Sequence, residues 1–199
     1  MGRKSRSEER KPEILKSLYE VLSREGLEGT TLSKVADRMG VNSGLLVHYF
    51  RTKEEMILAM VDYMLEKYAA IYISKINEFT RPQDRLDNIL ETFFELDWTN
   101  RGDASVFWSC FSLSFRNNKV KERFNAMYAG FREILAREIS LYIDDGIARV
   151  TDPVKTADII ITMIEGLNLY RSVKEGDEKL METAAFFKQT VSDLIKKGA

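Results

Sequence analysis

The two residue types that most often carry catalysis or bind zinc each occur once in this 199-residue chain, as His48 and Cys110. They lie in segments that we expect to belong to different domains. No HExxH or CxxC motif and no phosphate-cradling glycine loop occurs, and one histidine with one cysteine makes a poor zinc ligand set. We therefore expect no catalytic residue, no metal site and no cofactor. An enzyme that uses acidic residues is the enzymatic alternative that stays open.

The stretch GVNSGLLVHYFRTKEE, residues 40–55, offers a different chemistry, because hydrogen-bond donors and cations stand close together in it. Residues 1–53 contain 11 lysines and arginines against 7 acidic residues, whereas the rest of the chain contains 19 against 24. A basic N-terminal segment on an acidic body indicates a polyanionic partner, which the whole-chain net charge of −1 conceals.

Helical periodicity dominates the sequence, and sustained strand alternation is absent. Thr30 or Thr31 is a candidate N-cap, Gly40 a stop signal, and Thr52 with Glu55 a capping box. The pattern predicts a first helix that ends at Gly26 and a second that covers 32–40. A third helix, capped by Asn42 or Ser43, ends at Tyr49, and a fourth runs from Thr52 to about 79. Further helices are predicted near 83–98, 103–116, 119–145, 152–173 and 177–197. The fold class is therefore all-α with about nine helices. We place a three-helix head at residues 1–52, joined by a long fourth helix to a helical body at residues 53–199.

The second and third helices, separated by a tight glycine-containing turn and packed on the first, are typical of a helix-turn-helix. Such a unit inserts the N-terminal residues of its second short helix into the major groove of DNA. Asn42 and Ser43 can cap that helix and can bond to bases or phosphates, and Gly44 allows a close approach of the backbone. Leu45 and Val47 offer methyl groups to thymine.

The segment ILKSLYEVLSREGLEGTTLSKVADRMGVNSGLLVHYFRTKEEMI resembles the DNA-binding domain of the tetracycline-repressor (TetR) family. The shared features are a Gly-x-x-x-Thr-Thr lead-in, an Ala-x-x-x-Gly-Val turn, a Tyr-Phe pair and a Lys-Glu-Glu start to the fourth helix. The body segment FWSCFSLSFRNNKVKERFNAMYAGFREILAREI is more loosely similar to the BetI-like choline-repressor subgroup. The chain departs from the family at Val47, where tyrosine or a polar residue is common.

The resemblance implies a ligand-responsive transcriptional regulator, a repressor that a small molecule releases from a palindromic operator in double-stranded DNA. It also implies that His48, Tyr49 and Lys53 bind DNA phosphates, although packing of His48 against the first helix stays open. The predicted DNA-binding residues are Thr31, Asn42, Ser43, Gly44, Leu45, Val47, His48, Tyr49 and Lys53.

Aromatic residues crowd the middle of the chain. Such a stripe on helices is more often a plain core, but the TetR family uses these helices to enclose an inducer. The predicted ligand-binding residues are Phe94, Trp98, Phe107, Trp108, Phe111, Phe115, Phe124, Tyr128 and Phe131. A site of this composition suits a flat apolar molecule or a quaternary ammonium ion.

The last two predicted helices each carry small and branched residues on one face. This face could close a core within one chain or join two chains. The resemblance places a homodimer interface here, and one helix-turn-helix alone covers only half of a two-fold symmetric site. The predicted interface residues are Ala157, Ile160, Ile161, Ile164, Ala184, Phe187 and Val191.

A single cysteine, an N-terminus unlike a signal peptide and the lack of a long apolar run predict a cytoplasmic protein with no membrane partner. A helical protein-interaction module that does not bind DNA remains the main alternative to a regulator.

Overall fold

The structure, a computed structural model, describes residues 6–95, 104–174 and 179–197, and in these ranges every regular element is an α-helix. The helices are α1 Arg6–Gly29, α2 Leu32–Met39, α3 Ser43–Tyr49, α4 Lys53–Asn77, α5 Pro82–Glu95, α6 Ala104–Leu113, α7 Asn118–Asp144, α8 Pro153–Val173 and α9 Lys179–Lys197. The predicted all-α fold is confirmed. Among these described helices, none combines the length and the apolar character needed to cross a membrane.

The helices divide into two compact units. The first comprises Met1–Lys67 with Gly102–Phe124, and the second comprises Tyr68–Arg101 with Asn125–Ala199. The division falls inside α4 and α7 rather than at residues 52 and 53, where we predicted the domain boundary. Helix α6, which we assigned to the body, packs on α1 and so belongs to the first unit.

Helix α1 supplies the apolar surface on which the first unit is built. Ile14, Leu18 and Leu22 recur every four residues and are almost fully buried, which identifies one face of an amphipathic helix. The helix is interrupted at Gly26, whose φ of 69° lies in the left-handed region that glycine occupies without steric cost. The predicted end of the first helix is therefore visible as a kink. Helix α1 begins at Arg6, and Pro12 lies inside it.

The helix-turn-helix is fixed by its caps. Thr31 accepts a hydrogen bond from the Lys34 amide at the start of α2, and Gly40 ends α2 with a left-handed φ of 65°. Asn42 Oδ1 then accepts from the Gly44 amide at 2.8 Å and starts α3. These caps satisfy backbone groups that the helix ends leave without partners, and they set the direction in which α3 leaves the turn.

The second unit is held by contacts among α5, α8 and α9, together with the part of α7 that belongs to it. Ile160 and Leu167 of α8 are at most 1% exposed, and each fully buried side chain of this size contributes about 1.5–3 kcal/mol. Two polar contacts join α5 to α7. Arg85 pairs with the buried Glu138 at 3.0 Å, and the Tyr142 hydroxyl donates to the Gln83 carbonyl at 2.7 Å.

Candidate DNA-binding surface and effector site

The residues that start α3 and one side of the helix form an exposed, mostly polar surface. Asn42, Ser43, Gly44 and His48 are exposed, and Val47 is 52% exposed although it is apolar. An exposed valine among polar groups is unfavourable in water, but it suits a surface that meets the methyl group of thymine. The structure therefore brings five of the nine predicted DNA-binding residues onto one helix edge.

The opposite side of α3 anchors the helix. Leu46 and Phe50 are 0% and 3% exposed, and α3 packs on both α1 and α2. Leu45 and Tyr49 are half-buried at the border between the two sides. The ring of Tyr49 meets that of His48 edge-to-face at 5.9 Å, so the exposed His48 packs on its neighbour and not in the core.

The remaining predicted DNA-binding residues stand at helix starts. Thr31 is exposed and caps α2, so its hydroxyl already has a partner. Lys53 is the first residue of α4, and its side chain lies outside the described part of the structure. Thr52 accepts from the Glu55 amide at 3.1 Å, as predicted for a capping box, but the Glu55 carboxylate accepts from the Arg51 amide instead of that of Thr52.

The cap of α3 leaves little room for a side chain at Gly44. A Cβ atom at this position would lie 3.1 Å from Asn42 Oδ1, the oxygen that caps α3. A larger side chain would therefore press on the cap before it met a ligand.

The basic residues of α2 are paired with α1. Lys34 lies 2.7 Å from Glu25, and Arg38 forms an ion pair with Glu20. The hydrogen bond from Arg38 lowers the pKa of Glu20, which keeps that carboxylate charged. The positive charges of Lys34 and Arg38 are thus balanced by carboxylates of α1 within the first unit.

The predicted ligand-binding aromatics are divided between the two units. Five of them form one cluster in the first unit, where ring centroids lie 5.2–6.2 Å apart; they are Phe107, Trp108, Phe111, Phe115 and Phe124. Most of these contacts are edge-to-face, as in packed aromatic cores. A cavity beside this cluster, next to Cys110, has a volume of about 20 Å³. This is far below the roughly 300–1,000 Å³ of small-molecule sites.

Cys110 lies buried on α6, and burial raises the pKa of its thiol to about 12. A thiol in this state is protonated at neutral pH and is unreactive. Among the described residues, no group of three or more histidine, cysteine or acidic side chains is arranged to hold a metal ion.

The second unit contains the other predicted ligand residues and two polar ones that the sequence analysis missed. Phe94 is fully buried and Trp98 lies outside the described residues. Phe131 packs edge-to-face on Phe93 at 5.7 Å. Tyr128 of α7 and Glu165 of α8 lie close enough for each to affect the pKa of the other, and Asn168 follows Glu165 one turn later on α8.

The sequence does contain a signal that could have identified Glu165 and Asn168. Glu165 is the only charged residue in the run IIITMIEGLNLY at 159–170, and Asn168 is the only amide in it.

Five of the seven predicted dimer residues lie in the core of the second unit. They are at most 4% exposed, namely Ala157, Ile160, Ile164, Ala184 and Val191, and only Ile161 and Phe187 are half-buried. The reason is that this face of α8 and α9 packs on helices of its own chain. Exposed apolar residues instead occupy another face of these helices; they are Val154, Ile159, Leu169, Tyr170, Val173, Met181 and Phe186.

Known protein families match most of the chain. Residues 14–60 match the family described as bacterial regulatory proteins, tetR family, and residues 81–197 match the tetracyclin repressor-like C-terminal domain.

Three individual proteins illustrate the similarity. The HTH-type transcriptional repressor KstR2 of Mycobacterium tuberculosis is 31% identical over 86 residues, which cover 43% of each chain, less than half of that relative's length. The HTH-type transcriptional regulator BetI of Rhizobium meliloti is 22% identical, over 92% of this chain and 88% of that protein. A transcriptional regulator of Saccharomonospora viridis, solved in complex with choline, has a TM-score of 0.79 at 17% identity, with 94% and 95% of the two chains covered.

Proposed function

Because the chain belongs to the TetR family of bacterial regulatory proteins, we propose that it binds a palindromic operator as a homodimer and releases it when a small molecule binds in its second unit. Members of this family are transcriptional regulators and not enzymes. The observation that carries the proposal is the exposed polar edge of α3, held by Leu46 and Phe50 on a well-capped helix-turn-helix. Its partner is chromosomal DNA, so we place its action in the cytoplasm.

In this proposal α3 lies in the major groove. Ser43 and the side-chain nitrogen of Asn42 face base edges. Asn42 uses its nitrogen because its Oδ1 already accepts the hydrogen bond that caps α3. His48, Tyr49 and Lys53 bind phosphates, which position the helix without reading the sequence.

The proposed dimer interface is the exposed apolar face of α8 and α9. Ile159, Leu169 and Tyr170 on α8 are each about half exposed, and Met181 and Phe186 on α9 are more than 60% exposed. Several large apolar residues exposed on two helices that pack on each other are typical of a protein interface. A second copy of the chain would also supply the second helix-turn-helix that a palindromic site requires.

The effector is proposed to bind in the second unit and not in the aromatic cluster of the first. The rings of that cluster pack on one another, whereas the second unit contains a buried acceptor, Asn168 Oδ1, that has no hydrogen-bond partner among the described residues. A relative in fold holds choline, but at 17% identity that likeness extends to the fold alone. The chemistry of this effector must therefore be derived from the residues of this chain.

Fluorescence anisotropy tests the proposal. A labelled duplex from the DNA upstream of the gene is compared with a scrambled duplex of equal length and composition. We expect tighter binding to the natural duplex, and a log–log salt slope of about −0.9 for each phosphate neutralised. Equal affinity for both duplexes, or binding that does not respond to salt, would contradict the proposal.

A further inference from the structure

Three oxygen-bearing side chains on α7 and α8 of the second unit form what we call the acceptor cluster: Tyr128 on α7, and Glu165 and Asn168 one turn apart on α8. The Tyr128 hydroxyl and the Glu165 carboxyl lie close enough for each to affect the pKa of the other. Asn168 Oδ1 is buried and accepts no hydrogen bond from the described residues. Their neighbours on α8, Ile164 and Leu167, are buried apolar residues. Glu165 and Asn168 are thus polar residues within the mostly apolar run 159–170 of α8.

Glu165 has no positively charged partner among the described residues. Removal from water is the main cause that raises its pKa to about 7, and the only other contribution comes from Tyr128. The basic side chains of nearby segments have other partners. Arg132 pairs with Asp158 at 3.7 Å, and Arg171 donates to the Phe94 carbonyl at 2.5 Å.

The two acceptors on α8 lie within reach of one ligand atom. Glu165 and Asn168 are three residues apart on one helix, and such residues are neighbours whose Cβ atoms are about 5–6 Å apart. A nitrogen that donates to both oxygens, at about 2.8–2.9 Å each, fits this separation.

From these contacts we infer that the effector carries a protonated amine, and that this group binds between Glu165 and Asn168 with Tyr128 beside it. The amine supplies the positively charged partner that the Glu165 carboxylate lacks and the hydrogen-bond donor that Asn168 Oδ1 lacks. This inference rests on the proposed function, because it names the chemistry of the effector that the regulator would sense. It also distinguishes among cations, since a quaternary ammonium ion has no N–H to donate to Asn168.

Four probes with one carbon skeleton test the inference: phenethylammonium, its trimethylammonium derivative, 2-phenylethanol and phenylacetate. Binding to the full-length protein is measured by titration calorimetry and by thermal shift. We expect phenethylammonium to bind more tightly than the other three. Glu165→Gln should weaken it by about 10- to 100-fold, as expected for the loss of a charged hydrogen bond. Glu133→Gln is the matched control, because Glu133 is an exposed carboxylate on α7, and it should leave the affinity unchanged.

Similar binding of all four probes would overturn the inference. So would unchanged affinity in Glu165→Gln, or no binding of phenethylammonium to the wild type at millimolar concentration. Operator binding without any probe is measured on the same samples and keeps the two proposals apart. If wild type and Glu165→Gln bind the operator equally, the DNA-binding function stands, whichever way the amine result falls.

Discussion

Arg85→Met would remove the positively charged partner of a carboxylate in the core of the second unit. Arg85 Nε lies 3.0 Å from Glu138 Oε2, and the Glu138 side chain is only 1% exposed. Arg137 makes a second, longer contact with Glu138 at 3.7 Å, but its own side chain is largely exposed. The buried charge of Glu138 is therefore balanced mainly by Arg85.

The expected loss of stability follows from this arrangement. Removing one partner of a buried ion pair costs about 3–5 kcal/mol, because the remaining charge is uncompensated. Arg137 stays in place, so we expect the lower end, about 3 kcal/mol. For a chain of this size each kcal/mol lowers the Tm by about 2–4 °C, which gives a decrease of roughly 6–12 °C. The double variant Arg85→Met with Glu138→Leu should recover most of the loss, because apolar residues replace a buried pair at little net cost.

Thermal unfolding followed by circular dichroism measures this, at one fixed protein concentration because the stability of a dimer depends on concentration. Arg81→Met is the matched control. Arg81 pairs with Asp84 at 2.7 Å but is 78% exposed, and surface pairs contribute about 0–1 kcal/mol. If Arg85→Met lowers the Tm no more than Arg81→Met does, the buried pair does not hold α5 to α7 in the way we describe.

Three further predictions concern the interface, the acceptor cluster and the DNA contacts. Ile159→Asp should give folded monomers in sedimentation, since its side chain is exposed, whereas Ile160→Asp should abolish folding; a dimer that survives Ile159→Asp places the interface elsewhere. The folded state binds the proton of Glu165 more tightly than the unfolded state, because its pKa rises from 4.5 to about 7. Glu165 therefore destabilises the fold as pH rises from about 5 to 7. Glu165→Gln should increase the free energy of unfolding at pH 8 more than at pH 5, by at most about 3 kcal/mol, and should raise the Tm accordingly. Equal effects at both pH values would contradict this. Lys53→Ala should weaken natural and scrambled duplexes alike in anisotropy titrations, whereas Ser43→Ala should change sequence preference; a change of preference with Lys53→Ala would refute its phosphate role.

The helices and their ends could be predicted because their causes are local. Gly40 adopts the left-handed conformation that ends α2, and Asn42 caps α3, as their residue types indicate. The anchoring side of α3 was also predictable, since Leu46 and Phe50 lie one turn apart. These features depend on a few neighbouring residues and on no distant contact.

The buried face of α8 could not be predicted, because this helix is apolar on nearly all sides. Ile159 and Ile160 are adjacent and chemically identical, yet one is 46% exposed and the other 0%. When no polar stripe marks the solvent side, periodicity does not show which apolar face packs within the chain and which is left for a partner. The division of the aromatic residues has a similar cause, since the packing of α6 on α1 joins segments far apart in sequence.

In the sequence, a polar residue within an apolar run is a more informative signal of an effector site than a high density of aromatic residues. Aromatic rings can satisfy one another by edge-to-face contact, as Phe107, Phe111 and Phe124 do, and they then leave nothing for a ligand to complete. A carboxyl group removed from water cannot be satisfied in this way. Burial destabilises the charged form of Glu165, and the buried oxygen of Asn168 has no hydrogen-bond donor among the described residues. Both groups therefore lower the stability of the fold unless a ligand supplies a donor. Groups whose bonding is incomplete in the unliganded chain therefore identify the chemistry that a ligand must bring.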